Sequence, residues 1–400
     1  MKKNIYKNKC RPNILVECPV LLPSVRVGVL DILERFENKD RCIIKFKKTY
    51  DITKNDLLQC DILITVRGCE NMSLEIARAA KKMQRFLIYY LDDDLLNLPE
   101  SAISNEFYQR ESNRKNIRNL IRLSDVLWSN NDKIINKYST YGNQIRCVKN
   151  DIIVKKLNPH NTNNNNLIKI LYAGSIDHTS LVERYIMPAL TKLINEYGDM
   201  IEITFIGVDP KYCDSSQIKI YKFIEDYDRY RELVECGNFD IGLAVISTTE
   251  FYQCKYYNKF LEYSSIGAAG IYTKSNPYTS VVQNGKNGLL VENTIESWYN
   301  GMKYLINNPQ ERNEYIKSAQ ELIRTNFSEK YILEFIEKQI PEFTSFKVKN
   351  KSDFRSIKLS NRKWVYIKQR LWDYWKTYKL LFFLKITIAI MKKLKQKIRG

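Results

Sequence analysis

An asparagine-rich stretch, NPHNTNNNN at residues 158–166, divides the sequence into two halves that share one pattern. Six of its nine residues are Asn and none has an aliphatic side chain, so it cannot help to fill a core and is typical of a linker. On both sides, short apolar runs alternate with amphipathic helical segments, as in CDILITVRG and RFLIYYLDDD before it and LIKILYAG and IEITFIG after it. This alternation predicts two α/β domains, each with a mostly parallel sheet.

The positive charge of the chain is concentrated at its C-terminal end. Residues 341–400 contain 17 of the 64 Lys and Arg but only 3 of the 45 Asp and Glu, a formal charge of +14 within a total of +19. The remaining residues carry only +5 and are nearly balanced. The two domains therefore lack the overall positive charge of a nucleic-acid-binding protein, and no nucleic-acid partner is predicted.

The basic tail also carries many aromatic and aliphatic residues, including Trp364, Trp372 and Trp375. Its longest run with a single charge, LLFFLKITIAIM, has twelve residues, whereas a membrane-spanning helix needs about 20. This composition suits a segment that lies in the interface of an anionic membrane, although a partner-binding helix remains an alternative. We expect this tail, residues 346–400, to be dispensable for the folding of both domains.

The nine cysteines form no C-x-x-C pair, and His160 and His178 are the only histidines. These residues predict neither a metal site nor a thiol nucleophile site, and no cofactor is expected. The N-terminal segment is basic but lacks the uninterrupted apolar run of a signal peptide. The expected location is therefore cytoplasmic, at the inner face of the cell membrane.

Two local patterns indicate a phosphate-binding site. KYYNKFLEYSSIGAAGIYTKS, residues 255–275, places Lys255, Lys259 and Glu262 on one face of a predicted helix that is followed by small residues. In LYAGSIDHTSLVERY, a strand, a glycine loop and a helix follow one another, an arrangement in which backbone N–H groups can bind a phosphate. Neither pattern is a dinucleotide-binding G-x-G-x-x-G or a P-loop, which argues against a redox enzyme or a P-loop ATPase. Taken alone, the charged face could equally be a solvated helix surface.

Together, several segments resemble GT-B glycosyltransferases, especially those of glycosyltransferase family 4. KFLEYSSIGAAGIYTKSNPYTSVVQNGKNGLLVEN is similar to the donor-site region of that family, FDIGLAVI to the strand before it, and LYAGSI to the first strand and glycine loop of the nucleotide-sugar domain. This resemblance covers about residues 167–340. LIYYLDDDLLNLPE looks, more loosely, like the acceptor domain of bacterial members that synthesise surface polysaccharides.

The resemblance implies a GT-B fold: two facing Rossmann-like α/β domains followed by a basic amphipathic tail. The predicted parts are an acceptor-side domain (1–157), the linker (158–166), a nucleotide-sugar domain (167–325), a closing helix (326–345) and the tail (346–400). The implied activity is transfer of a sugar from a nucleotide-sugar donor to a glycan or lipid-linked acceptor in cell-surface polysaccharide synthesis, with retention of configuration.

The resemblance also assigns roles to individual residues. Glu262 would bind the ribose hydroxyls, while Lys259 and Lys255 would neutralise the diphosphate as it leaves. Gly174 and Ser175 would approach the phosphates through their backbone, and Gly267 would keep the helix end clear. Asp92 and Asp94 would act near the acceptor. Because Lys259 can carry the developing charge, turnover is expected to need no divalent metal.

The sequence departs from the family pattern at two points. Family members commonly carry a first Glu eight residues before the second, and here that position is Cys254, with Glu250 four residues further upstream. Many also place a His in the acceptor domain, where this chain offers the acidic run Asp92–Asp94. Two alternatives therefore stay open: a catalytically silent subunit that binds a glycan or a partner transferase, and a nucleotide-sugar epimerase.

Overall fold

The computed structural model describes residues 11–102, 104–142, 145–159, 167–210, 216–348 and 358–378. Most of the predicted linker, and the tail at 349–357 and 379–400, lie outside these ranges. The described chain contains two six-stranded sheets in which every neighbouring pair of strands is parallel. The predicted α/β architecture of two Rossmann-like domains is confirmed.

The first sheet has the strand order β2-β1-β3-β4-β5-β6. Its strands are β1 Asn13–Cys18, β2 Ile43–Lys48, β3 Ile62–Val66, β4 Phe86–Tyr90, β5 Val126–Ser129 and β6 Arg146–Lys149. The central strand β3 is the ILITV segment of CDILITVRG, and it is buried along its whole length because helices cover both faces of the sheet. The strand order reverses between β1 and β3, and the crevice at the carboxyl ends there is a typical ligand site.

The second sheet has the order β9-β8-β7-β10-β11-β12. Its strands are β7 Ile168–Ala173, β8 Ile201–Ile206, β9 Ile218–Tyr221, β10 Ile241–Ala244, β11 Ala269–Thr273 and β12 Leu289–Val291. Counted from β7, this is the Rossmann order 3-2-1-4-5-6, which reverses between β7 and β10. The loop after β7 contains Gly174 and Ser175, so the predicted phosphate loop lies at this reversal.

Helices connect the strands and cover both faces of each sheet. In the first domain they are α1 Pro23–Val25, α2 Asp31–Asn38, α3 Lys54–Gln59, α4 Asn71–Lys82, α5 Asn105–Tyr108, α6 Glu111–Leu123 and α7 Asp132–Tyr138. In the second they are α8 Thr179–Leu181, α9 Met187–Tyr197, α10 Tyr227–Cys236, α11 Glu250–Gln253, α12 Asn258–Ser265, α13 Ile295–Asn307 and α14 Pro309–Asn326. The C-terminal helices are α15 Glu329–Gln339, α16 Glu342–Ser345 and α17 Arg362–Tyr378. None of these described helices has both the length and the apolar character needed to cross a membrane.

The C-terminal helices pack on the first domain rather than on the second. Ile336 of α15 and Phe343 of α16 belong to the same buried cluster as Phe36 and Trp128 of the first domain. The Phe343 ring lies 6.1 Å from that of Phe36 and 5.7 Å from that of Trp128. The chain therefore crosses back to the first domain after α14.

The described part of the tail also packs on the first domain, a docking that the expectation of a dispensable tail did not include. Lys347 Nζ lies 2.9 Å from an oxygen of the buried Asp61, and the Val348 N–H donates to the same carboxylate at 3.3 Å. Further along, α17 lies against α4 and α6, with Gln369 and Asp373 buried between them. Composition alone did not indicate this docking, because the two buried residues of α17 are polar and only Val365 adds an apolar contact with the core of the first domain.

Candidate functional site

A cleft of about 670 Å³ lies between the two domains, at the carboxyl ends of both sheets. Its first-domain wall includes Arg67, Asp92 and Asp93. Of the sequence-predicted site residues, the second-domain wall includes Gly174, Ser175, Lys255, Lys259 and Glu262. Six of the eight predicted site residues thus line one cleft, while Asp94 and Gly267 do not.

Lys259 and Glu262 lie near the start of α12 and form a network with Tyr230 of α10. Lys259 Nζ donates to the Glu262 carboxylate at 2.8 and 3.0 Å and to the Tyr230 hydroxyl at 2.9 Å. The Tyr230 hydroxyl donates to Glu262 Oε1 at 2.5 Å. Burial and the charge of Glu262 raise the pKa of Tyr230, which keeps its hydroxyl protonated as a donor. Tyr230 therefore fixes the orientation of Glu262, a role that the local sequence did not indicate.

Lys255 reaches the cleft from a loop, so the prediction that it shares a helix with Lys259 and Glu262 is wrong. α11 ends at Gln253, and α12 begins only at Asn258. The intervening backbone is fixed by the first domain, because Asn131 Nδ2 donates to the Lys255 carbonyl at 2.7 Å. Contacts with a distant part of the chain interrupt the helix that the spacing suggested.

The loop after β7 approaches the cleft through its backbone. The Gly174 N–H donates to the Ile206 carbonyl at 3.0 Å, and Ser175 is exposed at the cleft wall. Gly207, which also lines the cleft, has a φ of +81°, and a Cβ on it would lie 2.2 Å from the Gly174 oxygen. Only glycine allows these two loops to lie so close. A 3₁₀ turn at Ile176–His178 leads directly into α8, which brings a helix N-terminus to the same region.

Gly267 has a structural role at the other end of α12. Its φ is +77°, and the Ala268 N–H donates to the Tyr263 carbonyl at 2.9 Å. This is the left-handed glycine that commonly ends a helix. The neighbouring residues Ser265 and Ile266 line the cleft, whereas Gly267 does not.

On the first-domain wall, Arg67 binds two adjacent carboxylates. It forms a hydrogen-bonded ion pair with Asp92, and its Nη2 lies 2.7 Å from Asp93 Oδ2. Lys255 Nζ lies 2.7 Å from Asp93 Oδ1, so Asp93 joins the two domains across the cleft. Burial alone would raise the pKa of Asp93, but the charges of Lys255 and Arg67 outweigh it and hold the pKa below its ordinary value.

The backbone of Arg67 is in the left-handed region, with a φ of +52°. For a residue other than glycine this conformation costs about 1–3 kcal/mol, and such residues cluster at functional sites. Sequence reasoning missed Arg67, because an Arg after a strand carries no distinctive local signal.

Asp94 lies outside the cleft, so its position does not support a catalytic role. It is fully buried, with Lys137 Nζ 2.7 Å from Oδ2 and the Tyr138 hydroxyl donating to Oδ1 at 2.7 Å. Asn97 Nδ2 donates to the same Oδ1 at 2.9 Å, so Asp94 stabilises the turn after β4. Of the acidic run, Asp92 and Asp93 face the cleft.

Cys254 occupies the position of the family's first Glu but does not face the cleft. Only 2% of it is exposed, and it packs in the core of the first domain with Ile134 and Tyr138. Burial raises the pKa of its thiol to about 11, so the thiol is uncharged at neutral pH. Glu250 is exposed and binds Lys137 at 2.6 Å, and it does not line the cleft.

Sequence reasoning also missed His178. Its imidazole lies 5.5 Å from the Tyr252 ring, and among the described residues its buried Nδ1 has no hydrogen-bond partner. Burial, together with the charges of Lys255 and Lys259, lowers the pKa of His178 to about 4. A neutral imidazole therefore lies near the two lysines, next to the cleft-lining Asp177.

No protein-family model matches the chain, and no curated protein matches it either. Its fold is similar to solved structures of GT-B glycosyltransferases. Anabaena HepE in complex with UDP-glucose aligns with a TM-score of 0.59 and 12% identity, over 83% of this chain and 100% of that one. The lipopolysaccharide outer core galactosyltransferase WaaB aligns with a TM-score of 0.54 and 12% identity, over 82% and 99%. A glycosyltransferase from Rickettsia africae aligns with a TM-score of 0.54 and 13% identity, over 83% of this chain and 98% of that one.

Identities this low show the GT-B fold and leave the family open. HepE has been solved with UDP, with UDP and glucose, and with UDP-glucose. The neighbours are thus glycosyltransferases, and some of their structures contain a nucleotide-sugar donor.

Proposed function

We propose that this chain is a glycosyltransferase that moves a sugar from a nucleotide-sugar donor to a glycan or lipid-linked acceptor. The observation that carries the proposal is the convergence of Lys259, Glu262 and the Gly174–Ser175 loop in one interdomain cleft. These groups come from two separate connections of the second sheet, on either side of the point where its strand order reverses. A carboxylate, cations and a backbone loop at such a point match the chemistry of a nucleoside diphosphate.

The second-domain wall would bind the donor. Glu262, already oriented by Tyr230, would accept hydrogen bonds from the ribose hydroxyls. Tyr227 and the exposed Phe223 lie on the same wall and would contact the nucleobase, since every base has a face that can pack on an aromatic ring. The diphosphate would then reach Lys259 and Lys255. We propose a uridine diphosphate sugar as the donor, because HepE binds one.

Transfer breaks the bond between the anomeric carbon and the diphosphate oxygen and forms a bond from that carbon to an acceptor hydroxyl oxygen. The bonding electrons leave with the diphosphate, where Lys259 and Lys255 stabilise the added charge. Asp93 is a poor base because its pKa is lowered, so the hydroxyl proton would pass to the departing diphosphate oxygen. Attack and departure on the same face give retention of configuration.

The first-domain wall would bind the acceptor. Arg67 and Asp92 offer a donor and an acceptor of hydrogen bonds to sugar hydroxyls at the carboxyl end of the first sheet. We propose synthesis of cell-surface polysaccharide as the context, on the resemblance of the first half to acceptor domains and the likeness to WaaB.

A catalytically silent subunit is the second candidate, because the position of the family's first Glu is a buried Cys254. A screen of purified protein with UDP-sugars and other nucleotide sugars separates the two candidates. Release of free nucleotide with at least one donor supports the transferase. Binding of donors without hydrolysis or transfer, at enzyme concentrations that detect one turnover per hour, would support the silent subunit.

Turnover is expected to continue within twofold of its normal rate in excess EDTA. The acidic run that could attract Mg²⁺ is already paired with cations, because Arg67 binds Asp92 and Asp93 and Lys137 binds Asp94. Lys259 and Lys255 would supply the charge that a metal ion supplies in other transferases. The measurement is nucleotide release with EDTA and then with added Mg²⁺ or Mn²⁺. Loss of activity in EDTA that either metal restores would contradict this prediction.

Replacing Tyr230 by phenylalanine should weaken UDP binding about 3- to 10-fold, the effect of losing one hydrogen bond. The variant keeps the ring that packs against Tyr227 but leaves Glu262 Oε1 with the Lys259 ammonium as its donor and without the tyrosine hydroxyl, so KM for the donor should rise more than kcat falls. Titration calorimetry with UDP measures the affinity. Tyr299→Phe on α13, which removes an exposed tyrosine hydroxyl bonded to Glu196, is the matched control. Equal affinities for both variants would show that Tyr230 does not position Glu262.

A further inference from the structure

Helix α17 buries two polar side chains, Gln369 and Asp373, against the first domain, one turn after the partly buried Val365. The Asn71 N–H donates to Gln369 Oε1 at 2.7 Å, and Gln369 Nε2 donates to Asn113 Oδ1 at 2.5 Å. One turn later, the Ser112 hydroxyl donates to Asp373 Oδ1 at 2.5 Å. A helix on a protein surface normally turns its apolar face to the core, whereas α17 buries two hydrogen-bonded polar residues.

The opposite side of α17 is an exposed apolar stripe. Trp364, Ile367, Leu371 and Trp375 follow a spacing of three, four and four residues, which places them on one face of the helix. Trp364 is 61% exposed and Trp375 46% exposed, and Trp372 lies beside Trp375 with its ring 5.4 Å away. The other two tryptophans of the chain, Trp128 and Trp298, are fully buried. Contiguous apolar patches of this kind usually mark an interaction site.

The stripe is surrounded by positive charge. Residues 358–378 contain six Lys and Arg and a single acidic residue, Asp373, which is buried against Ser112. Lys363 and Lys368 are exposed, and Lys376 Nζ lies 5.3 Å from the centre of the Trp372 ring and 3.2 Å from Glu111 of α6. In sequence, residues 379–400 add seven basic residues and no acidic one. A second copy of the same basic face would be repelled, so the charge favours an anionic partner.

We propose that the stripe on α17 binds the interface of an anionic lipid bilayer and holds the protein on it. Tryptophan side chains favour the depth of the lipid headgroups, and basic residues near the surface are attracted to anionic lipid. With 17 residues, α17 is too short to span a bilayer but long enough to lie in its plane. This proposal goes beyond the transfer reaction and does not depend on it.

The docking of α17 determines which part of the protein faces the bilayer. Gln369 contacts the first residue of α4, which begins four residues after the cleft-lining Arg67. A pocket of about 320 Å³ between α17 and residues 105–110 is lined by Arg110 and Arg370 and also by the carboxylates of Glu106 and Asp373, so it is not assigned to a headgroup phosphate. Bilayer binding would therefore hold the acceptor side of the cleft near the membrane surface and raise the effective concentration of a lipid-linked acceptor.

The test compares co-sedimentation of the full chain with vesicles of phosphatidylcholine and with vesicles containing 30% phosphatidylglycerol. We expect at least tenfold tighter binding to the anionic vesicles, and at least a tenfold loss in the variant Trp364→Ser/Trp375→Ser. Tyr331→Ser on α15, which changes an equally exposed aromatic residue, should bind as the unchanged protein does. Circular dichroism verifies the fold of each variant, and nucleotide release with a soluble acceptor should stay unchanged.

A second pair of variants tests the charge. Lys368→Glu should weaken binding to anionic vesicles, whereas Lys317→Glu on α14, an exposed lysine of the second domain, should not. Equal binding of the tryptophan variant and the unchanged protein would overturn the proposal, as would failure of the unchanged protein to bind anionic vesicles. Sedimentation velocity tests whether a second copy of the chain covers the stripe. If the unchanged protein is a dimer and the tryptophan variant is a monomer, the stripe is a dimer interface and the proposal is overturned.

Discussion

Replacing Lys259 by alanine is expected to lower kcat for sugar transfer by about 10²- to 10³-fold. Removing one preorganised group that stabilises charge in a transition state costs on the order of 3–4 kcal/mol. Lys259 Nζ is already held 2.8 Å from Glu262 and 2.9 Å from the Tyr230 hydroxyl, at the start of α12 in the cleft. A cation held in place before the reaction needs little reorganisation as the diphosphate charge develops.

The measurement is single-turnover transfer at saturating donor, so that weaker binding does not mask the change in the chemical step. Lys274→Ala is the matched control, because it removes a lysine of the same domain that lies outside the cleft and pairs with Glu292. Circular dichroism and UDP binding verify that the Lys259 variant is folded. A rate within threefold of the unchanged enzyme would show that Lys259 does not stabilise the leaving group.

Ending the chain after Phe346 is expected to destabilise the first domain by about 3–5 kcal/mol, the cost of removing one partner from a buried ion pair. Asp61 is fully buried, and this truncation removes both Lys347 and the Val348 N–H from its carboxylate. It also removes α17 and leaves the Asn71 N–H without Gln369. Asp61 would retain the Asn13 N–H, at 2.8 Å.

Unfolding of the first domain in urea, monitored by limited proteolysis, measures this loss of stability. A chain that ends after Tyr378 is the matched control, because it keeps Lys347, Val348 and the whole of α17. We expect the shorter chain to unfold at a clearly lower urea concentration or to remain unfolded. Equal midpoints for the two chains would mean that the tail is dispensable, as its composition alone suggested.

The sequence alone was sufficient to predict the two α/β domains and five of the residues on the second-domain wall of the cleft. Strand and helix periodicity depends on which residues of a segment are apolar, and this information is local. Lys259 and Glu262 could be placed together because residues three apart lie on the same side of a helix. Gly174 and Ser175 were placed near them through the family resemblance, and the fold brings them together because parallel strands end at the same edge of a sheet.

Tertiary structure decided which side chains face the cleft and what the tail packs against. Periodicity identifies an apolar face but does not identify the surface on which it packs. It also does not reveal buried polar contacts, such as those of Gln369 with Asn71 and Asn113, because these form only when α17 docks on the first domain. In the same way, Asn131 holds the Lys255 backbone outside the helix, and the first-domain core encloses Cys254. These contacts join residues more than a hundred positions apart, and their energies depend on distances that exist only after both domains have folded.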